Sequence, residues 1–203
     1  MRTNFTKRLI LPFVLLTIMV VVGSCNVTNL SNKPIEFNES SDMGLVVGSV
    51  TFLDVKPRFV AYFPYLHAIE GGKSTEFTIE PEMEREIRHA GELNNGKTYL
   101  FAIERAPGKY EINQIRCSST GYEDEKRYDK AEGFSIPFEV KKGEIVYVGE
   151  ILFDEYATNE ASLVNLQSNF KRDIQGLKLK QPSVDWSKAK RASLEINRTE
   201  QIK

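Results

Sequence analysis

The chain has 203 residues, of which 27 are basic and 28 acidic, and its formal net charge is −1. Without the first 24 residues, which contain three basic and no acidic side chains, 24 basic and 28 acidic residues remain, a formal charge of −4. This excess of acid excludes a general nucleic-acid binder, because such a protein needs a basic field to neutralise phosphates.

Residues 1–24 have the organisation of a cleaved signal peptide. A basic n-region at residues 2–8 precedes a 14-residue apolar run, Leu9 to Val22, which is short of the roughly 20 residues that a membrane-spanning helix needs. Two small residues then precede a cysteine, in the order Val22-Gly23-Ser24-Cys25. This segment resembles the lipobox of bacterial lipoproteins.

The resemblance implies cleavage before Cys25, a thioether-linked diacylglycerol on its sulfur and acylation of the new amino terminus. The membrane is then a partner through the lipid anchor, and two or more acyl chains hold far better than one. Asn26, rather than Asp, follows the cysteine. In the enterobacterial sorting scheme that residue class goes to the outer membrane, so the predicted location is the cell envelope, at the outer membrane.

A secreted glycoprotein is the competing interpretation of the N-terminal region. Four triplets fit the N-glycosylation pattern, beginning at Asn26, Asn29, Asn38 and Asn197. Three of them lie in one Asn- and Ser-rich stretch, where such triplets arise by chance. The lipobox at the very edge of the apolar run favours the lipoprotein.

Residues 25–42 are predicted to be a lipidated flexible tether. Asn26 to Asp42 is polar and has no hydrophobic period, and its 17 residues would reach roughly 20–25 Å as a flexible coil. Residues 43–155 follow as a β domain, and residues 156–203 as a C-terminal helical extension.

Short strand patterns separated by turn signals run through the β domain. An antiparallel β-sandwich follows from seven such segments over about 110 residues. The predicted strands are Gly44–Leu53, Arg58–Ile69, Thr75–Ile79, Thr98–Ile103, Tyr110–Cys117, Phe134–Val140 and Ile145–Phe153.

Local patterns refine four places in this domain. Pro64 demands an edge position or a bulge, and a change of facing between Ile112 and Ile115 predicts a bulge near Asn113. Residues 121–132 are predicted to be a charged loop. Residues 141–144, of sequence KKGE, are predicted to form a hairpin turn.

Three motifs carry a second resemblance: Ala106-Pro107-Gly108-Lys109-Tyr110, Phe138-Glu139-Val140 and Gly143-Glu144-Ile145-Val146-Tyr147-Val148-Gly149. They resemble small bacterial lipoproteins of unknown function, and the same Pro-Gly turn occurs in prealbumin-like and carboxypeptidase-regulatory-like sandwiches. The resemblance covers about 50 of the 203 residues. It implies an Ig-like or transthyretin-like sandwich with Tyr110 and Tyr147 as core or corner aromatics, and it implies no activity.

The C-terminal extension has a helical pattern and a basic charge. Ser168 is a candidate cap for a helix that ends before Pro182, and Ser183 or Asp185 is a candidate cap for a second short helix around Trp186. Residues 156–203 carry a formal charge of +4 and residues 26–155 a charge of −8. The extension is therefore expected to pack on the sandwich; a basic arm that binds anionic lipid or another envelope polymer is the alternative.

A metal-dependent envelope hydrolase is one alternative function. Its ligands would be His67, His89 and the acidic cluster from Glu80 to Glu86, in which Glu86-x-x-His89 has the spacing of a carboxylate-histidine pair. That motif occurs once in a β-rich chain, so a solvated acidic loop or short helix is favoured. No metal ligand, catalytic residue or cofactor is predicted.

A carbohydrate- or peptide-binding module is the other alternative. It requires several of the aromatic residues Tyr62, Tyr65, Tyr99 and Tyr128 to be exposed on one face. The favoured function is a non-enzymatic binding or assembly module of the envelope with a protein or polymer partner. Cys25 is its only assigned residue, as the lipidation site, and Cys117 is predicted to be a buried thiol.

Overall fold

The computed structural model describes residues 28–29, 34–53, 59, 61–79, 97–120, 126–157 and 163–198. These residues form a mainly β structure of two sheets and one short α-helix, so the predicted β-sandwich with a C-terminal helix is confirmed. No helix within these ranges is long and apolar enough to cross a membrane.

The larger sheet contains seven strands: β1 (Thr28–Asn29), β3 (Ala61–Glu70), β4 (Thr75–Thr78), β6 (Gly108–Thr120), β7 (Lys126–Ala131), β8 (Phe134–Val140) and β12 (Asn197–Arg198). Their order is β1-β4-β3-β6-β8-β12, and β7 pairs with the C-terminal half of β6. β7 occupies part of the segment predicted as a charged loop, so that prediction is wrong for residues 126–131.

The smaller sheet contains five strands: β2 (Gly44–Phe52), β5 (Lys97–Arg105), β9 (Ile145–Phe153), β10 (Val164–Gln167) and β11 (Lys190–Arg191). Their order is β10-β9-β2-β5, with β11 beside β9. Two of its described strand pairs, β10 with β9 and β2 with β5, are antiparallel, whereas β2 with β9 at the centre and β11 with β9 are parallel. All residues of β2 and all but one of β9 are buried, which fits strands that are covered on both faces.

Aromatic and branched side chains from both sheets fill the space between them. The ring centroids of Phe52 and Tyr62 are 4.3 Å apart, and those of Phe77 and Phe101 are 4.8 Å apart. Tyr110 is fully buried, and its hydroxyl donates to the Ala106 carbonyl at 2.8 Å. This bond ties the Pro-Gly turn to the core and confirms the predicted role of this tyrosine.

A second apolar core lies on the outer face of the smaller sheet. Helix α1 (Phe170–Lys180) and a 3-10 helix (Trp186–Lys188) cover this face, and Leu177 and Trp186 are buried there against Leu45 and Leu100. Asp185 caps the 3-10 helix, because its side chain accepts from the Ser187 amide at 3.2 Å.

Residues 34–43, which we term the strap, lie against the same outer face. Phe37 is buried in the second core, and the Ile35 amide donates to the Gln181 side chain at 2.9 Å. The Ser183 hydroxyl donates to the Ile35 carbonyl at 2.9 Å. For residues 34–42 the predicted flexible tether is therefore wrong: their one large aromatic side chain fixes the chain on the body.

Two strand connections differ from the expected geometry. The turn at residues 141–144 joins β8 in the larger sheet to β9 in the smaller one, so it is a crossing between sheets and not a hairpin. Pro64 lies in β3 between two neighbouring strands, directly before a register shift at Tyr65 and Leu66. That shift skips Asn113 on β6, which confirms the predicted bulge at that residue.

Candidate functional site

The two histidines do not form a described metal site. His67 is partly buried, stacks on Tyr65 with ring centroids 6.1 Å apart and has its Nδ1 3.3 Å from the Ser74 hydroxyl. His89 and the acidic cluster at residues 80–86 lie outside the described residues. Among the residues that are described, no group of three His, Cys, Asp or Glu side chains converges.

The proposed tyrosine platform loses two of its members. Tyr62 and Tyr99 are buried between the sheets at 0% and 1% exposure, so both are core residues. Tyr65 is half-buried on the outer face of β3, and the side chain of Tyr128 lies outside the described residues. The two buried rings rule out a platform that uses them.

The structure describes one of the two cysteines. Cys25 lies outside the described residues, so its lipidation stays a prediction. Cys117 is buried in the core between the sheets with 2% exposure, as predicted.

The most unusual chemistry lies where α1 begins on the smaller sheet. Glu150 of β9 and Asp173 of α1 are both fully buried, and Arg172 lies between them. We call these three side chains the ionic cluster. Because an isolated charge is costly to bury, these side chains must be held by ion pairs and hydrogen bonds to one another and to their neighbours.

A β-bulge turns Glu150 toward this cluster. Val47 pairs with Tyr147 and Ser49 with Glu150, so β9 has one residue more than β2 in this interval. Gly149 holds the bulge with a φ of +108°. Because the bulge reverses the alternation of β9, Glu150 points to the outer face and not into the core between the sheets.

Four side chains satisfy the Glu150 carboxylate. The Arg172 guanidinium donates at 3.0 Å and the Gln167 amide at 2.7 Å. The Thr51 hydroxyl and the Asn169 amide also donate to it. Burial favours the neutral acid, but these hydrogen bonds outweigh it and hold the pKa of Glu150 below its usual range.

Asp173 has the opposite electrostatic balance. Its carboxylate accepts from Ser49 at 2.6 Å, from Tyr147 at 2.8 Å and from the Arg172 Nε at 2.7 Å. Burial nevertheless dominates and raises the pKa of Asp173 above its usual range. The Tyr147 pKa is also raised, first by burial and then by the Asp173 charge.

A surface groove of about 410 Å³ opens beside the ionic cluster. Its lining comes from the end of β10, the first turns of α1 and strand β11: Ser168, Asn169, Phe170, Lys171, Arg172, Gln175 and Arg191. We call this the α1 groove. Three of its lining residues are cations and none is an acid.

Two of these cations are available to a ligand. Lys171 and Arg191 form no ion pair with any carboxylate in the described part of the chain, whereas Arg172 is held by Glu150 and Asp173. The Arg191 guanidinium lies 4.6 Å from the centre of the Phe170 ring. This contact holds the guanidinium beside the groove.

The first turn of α1 also opens into this groove. Asn169 is the N-cap residue, so the predicted cap at Ser168 is wrong, and no side chain caps the helix. The side-chain amide of Asn169 donates to Glu150, and the backbone N–H of Asn169 donates to the Tyr147 hydroxyl at 3.1 Å. Because the Asn169 side chain binds Glu150, it does not accept a hydrogen bond from the backbone N–H groups in the first turn of α1.

A second cleft, of about 390 Å³, lies between the strap and the 3-10 helix. Its charged groups are already paired: Lys188 lies 2.8 Å from Glu39 and 3.6 Å from Asp185. This cleft therefore offers a ligand less unpaired charge than the α1 groove does.

Sequence reasoning missed the ionic cluster, although a signal was present. Glu150 is the one charged residue in an otherwise apolar strand, and the apolar residues change their alternation between Val148 and Ile151. The same kind of change led to the correct prediction at Asn113. Applied to β9, it would have placed a bulge at Gly149 and turned Glu150 outward.

The chain matches no protein-family model, and no curated protein or solved structure shows significant similarity to it.

Proposed function

We propose that this protein is a lipid-anchored lipoprotein of the cell envelope whose folded body is a non-enzymatic binding module. The observation that carries the proposal is the segment Val22-Gly23-Ser24-Cys25 directly after a basic n-region and a 14-residue apolar run. In this proposal Cys25 carries the lipid, and Asn26 directs the protein to the outer membrane.

The pairing of β1 supports a close approach of the body to the bilayer. Thr28 pairs with Phe77 of β4, and it lies only three positions after Cys25 in the sequence. Three residues of extended chain span no more than about 11 Å. A lipid on Cys25 would keep the β4 edge of the sandwich close to the headgroups, whereas a free 17-residue tether would let it move roughly 20–25 Å away.

The binding role is supported by the α1 groove. Its polar floor is rigid, because nine hydrogen bonds or ion pairs hold the three side chains of the ionic cluster in place before any ligand arrives. A preformed polar groove of this size suits a small ligand or a side chain of a partner.

Replacement of Cys25 tests the anchor. We expect C25S to leave the membrane fraction and to lose incorporation of labelled palmitate in growing cells, because Ser cannot form the thioether. C117A is the matched control, since it removes the other cysteine and should stay in the membrane pellet with its label. A C25S protein that pellets like the wild type would refute the lipoprotein assignment.

A further inference from the structure

The α1 groove has the properties of an anion-binding site. Its exposed surface is cationic, because the carboxylates beneath it, Glu150 and Asp173, have no exposed area and bind inward. Arg172 balances part of their charge, while Lys171 and Arg191 have no ion pair among the described residues. Together the three cations exceed the two buried acids by one charge.

We infer that the α1 groove binds a phosphate-bearing ligand, with Lys171 and Arg191 as its principal contacts. This inference names the ligand chemistry of the proposed binding module, and it holds or fails independently of the lipid on Cys25. Lysine and arginine side chains are the usual partners of phosphate oxygens, and the Arg191 guanidinium is already oriented by Phe170.

The remaining lining groups fit the same chemistry. The Ser168 hydroxyl and the Gln175 amide add neutral donors. The uncapped first turn of α1 adds backbone N–H groups. A volume of about 410 Å³ exceeds a bare phosphate and leaves room for an organic part of the ligand.

The test uses the full-length C25S chain, which carries the groove without the lipid. Binding of inorganic phosphate and of glycerol 3-phosphate is followed by amide chemical shifts at constant ionic strength. We expect K171A and R191A each to weaken binding about tenfold, as loss of a charge-assisted hydrogen bond does. R191K should recover part of the loss.

K178A is the matched control. Lys178 is exposed on the last turn of α1, has no ion pair among the described residues and does not line the groove. It removes the same charge from the same helix, so it should leave phosphate binding unchanged. If K178A and K171A lost the same amount of phosphate affinity, the effect would come from the net charge of the protein and not from the α1 groove, and the inference would be wrong.

Vesicles distinguish a soluble ligand from a lipid headgroup. Tighter binding of glycerol 3-phosphate than of inorganic phosphate supports a soluble ligand. Binding to phosphatidic acid vesicles, absent for phosphatidylcholine vesicles and lost in K171A, supports a headgroup. If no probe binds in a way that depends on Lys171 and Arg191, the inference is wrong even where C25S fractionation supports the anchor.

Discussion

At the scale of single residues, the ionic cluster contains two buried acids with opposite energetics. Hydrogen bonds lower the pKa of Glu150, so the folded protein favours its charged form. Burial raises the pKa of Asp173, so folding disfavours its charged form relative to the unfolded chain. Each acid contacts Arg172. Isosteric substitution of one acid at a time measures how much that acid contributes to the free energy of unfolding.

E150Q is expected to destabilise the protein more than D173N at pH 7. E150Q removes a charge that the fold stabilises and leaves Arg172 with one carboxylate. We expect the free energy of unfolding to fall by about 3 kcal/mol. D173N removes a charge that burial disfavours, so its cost is smaller. Urea unfolding measures both values, and a larger loss in D173N would contradict this account.

Acid should destabilise the protein partly through Glu150. A carboxylate with a lowered folded pKa contributes stability above its unfolded pKa of about 4.3, and that stability is lost as the pH falls through the folded value. Asp173 acts in the opposite sense, since its raised pKa favours proton uptake by the folded state.

The unfolding free energy of E150Q should therefore fall less steeply than that of the wild type below about pH 4.3. D173N should fall more steeply than the wild type, because the opposing proton uptake is gone. Urea titrations from pH 3 to pH 7 provide the comparison. Parallel pH profiles for all three proteins would show that neither acid is coupled to folding.

Sequence alone predicted the residues whose role follows from alternation. The buried Cys117 and the bulge at Asn113 both follow from which neighbours share a face. The partners of Glu150 do not, because Asp173 and Arg172 come from an element whose docking site depends on the tertiary structure. A charged residue in an apolar strand marks such a site without naming its partners.

At the scale of elements, the bulge at Gly149 turns the Glu150 side chain toward α1. A Cβ at this glycine would lie 2.7 Å from Leu166 Cδ1 and 3.0 Å from Leu194 Cδ2, and its φ is +108°. G149A therefore adds both backbone strain and a packing conflict, and we expect it to destabilise the protein by about 2–3 kcal/mol.

Gly133 supplies the matched control for that substitution. Its φ is +81°, but no atom lies within 4 Å of the position that a Cβ would take, so G133A adds the strain alone. We expect a loss of about 1 kcal/mol there. Thermal unfolding compares the two variants, and equal losses would mean that the side chains around Gly149 adjust freely.

The strap is expected to be held mainly by Phe37. F37A removes the aromatic group that the second core buries, and a loss of about 3 kcal/mol is expected. Limited proteolysis should then cut residues 34–43 more quickly than in the wild type. E39A removes only an exposed ion pair with Lys188 and should change neither measurement; equal cutting in E39A would contradict the role of Phe37.

Strand positions were easier to predict than strand connections. Strands β2, β8 and β9 lie within a residue of their predicted bounds, because apolar alternation is a local signal. The turn at residues 141–144 has the composition of a hairpin but joins two sheets. Which sheet receives β9 depends on its parallel pairing with β2, about 100 residues earlier in the chain.

At the scale of the whole molecule, such distant pairings make the sandwich one cooperative unit. β2 is hydrogen-bonded both to β5 and to β9, and α1 and the strap cover their outer face. Strands β2 and β9 contribute side chains to both apolar cores, so local opening of either strand exposes both. We expect unfolding in a single transition.

Cys117 reports that transition. In C25S it is the only cysteine, and at 2% exposure it lies in the core between the sheets. Its reaction with a thiol reagent should be at least about a thousandfold slower in buffer than in denaturant. The urea midpoint for labelling should equal that for loss of circular dichroism, and rapid labelling in buffer would refute cooperative unfolding.

The contact between the strap and residues 181–183 also determines how the molecule would respond to tension. Ile35 is joined to Gln181 and Ser183 by two hydrogen bonds, and Lys188 is paired with Glu39. Any force applied from the N-terminal side reaches these bonds before it reaches the central strands. After the pairing of β1 with β4, the contact between the strap and the C-terminal segment would thus bear such a force before β2 does.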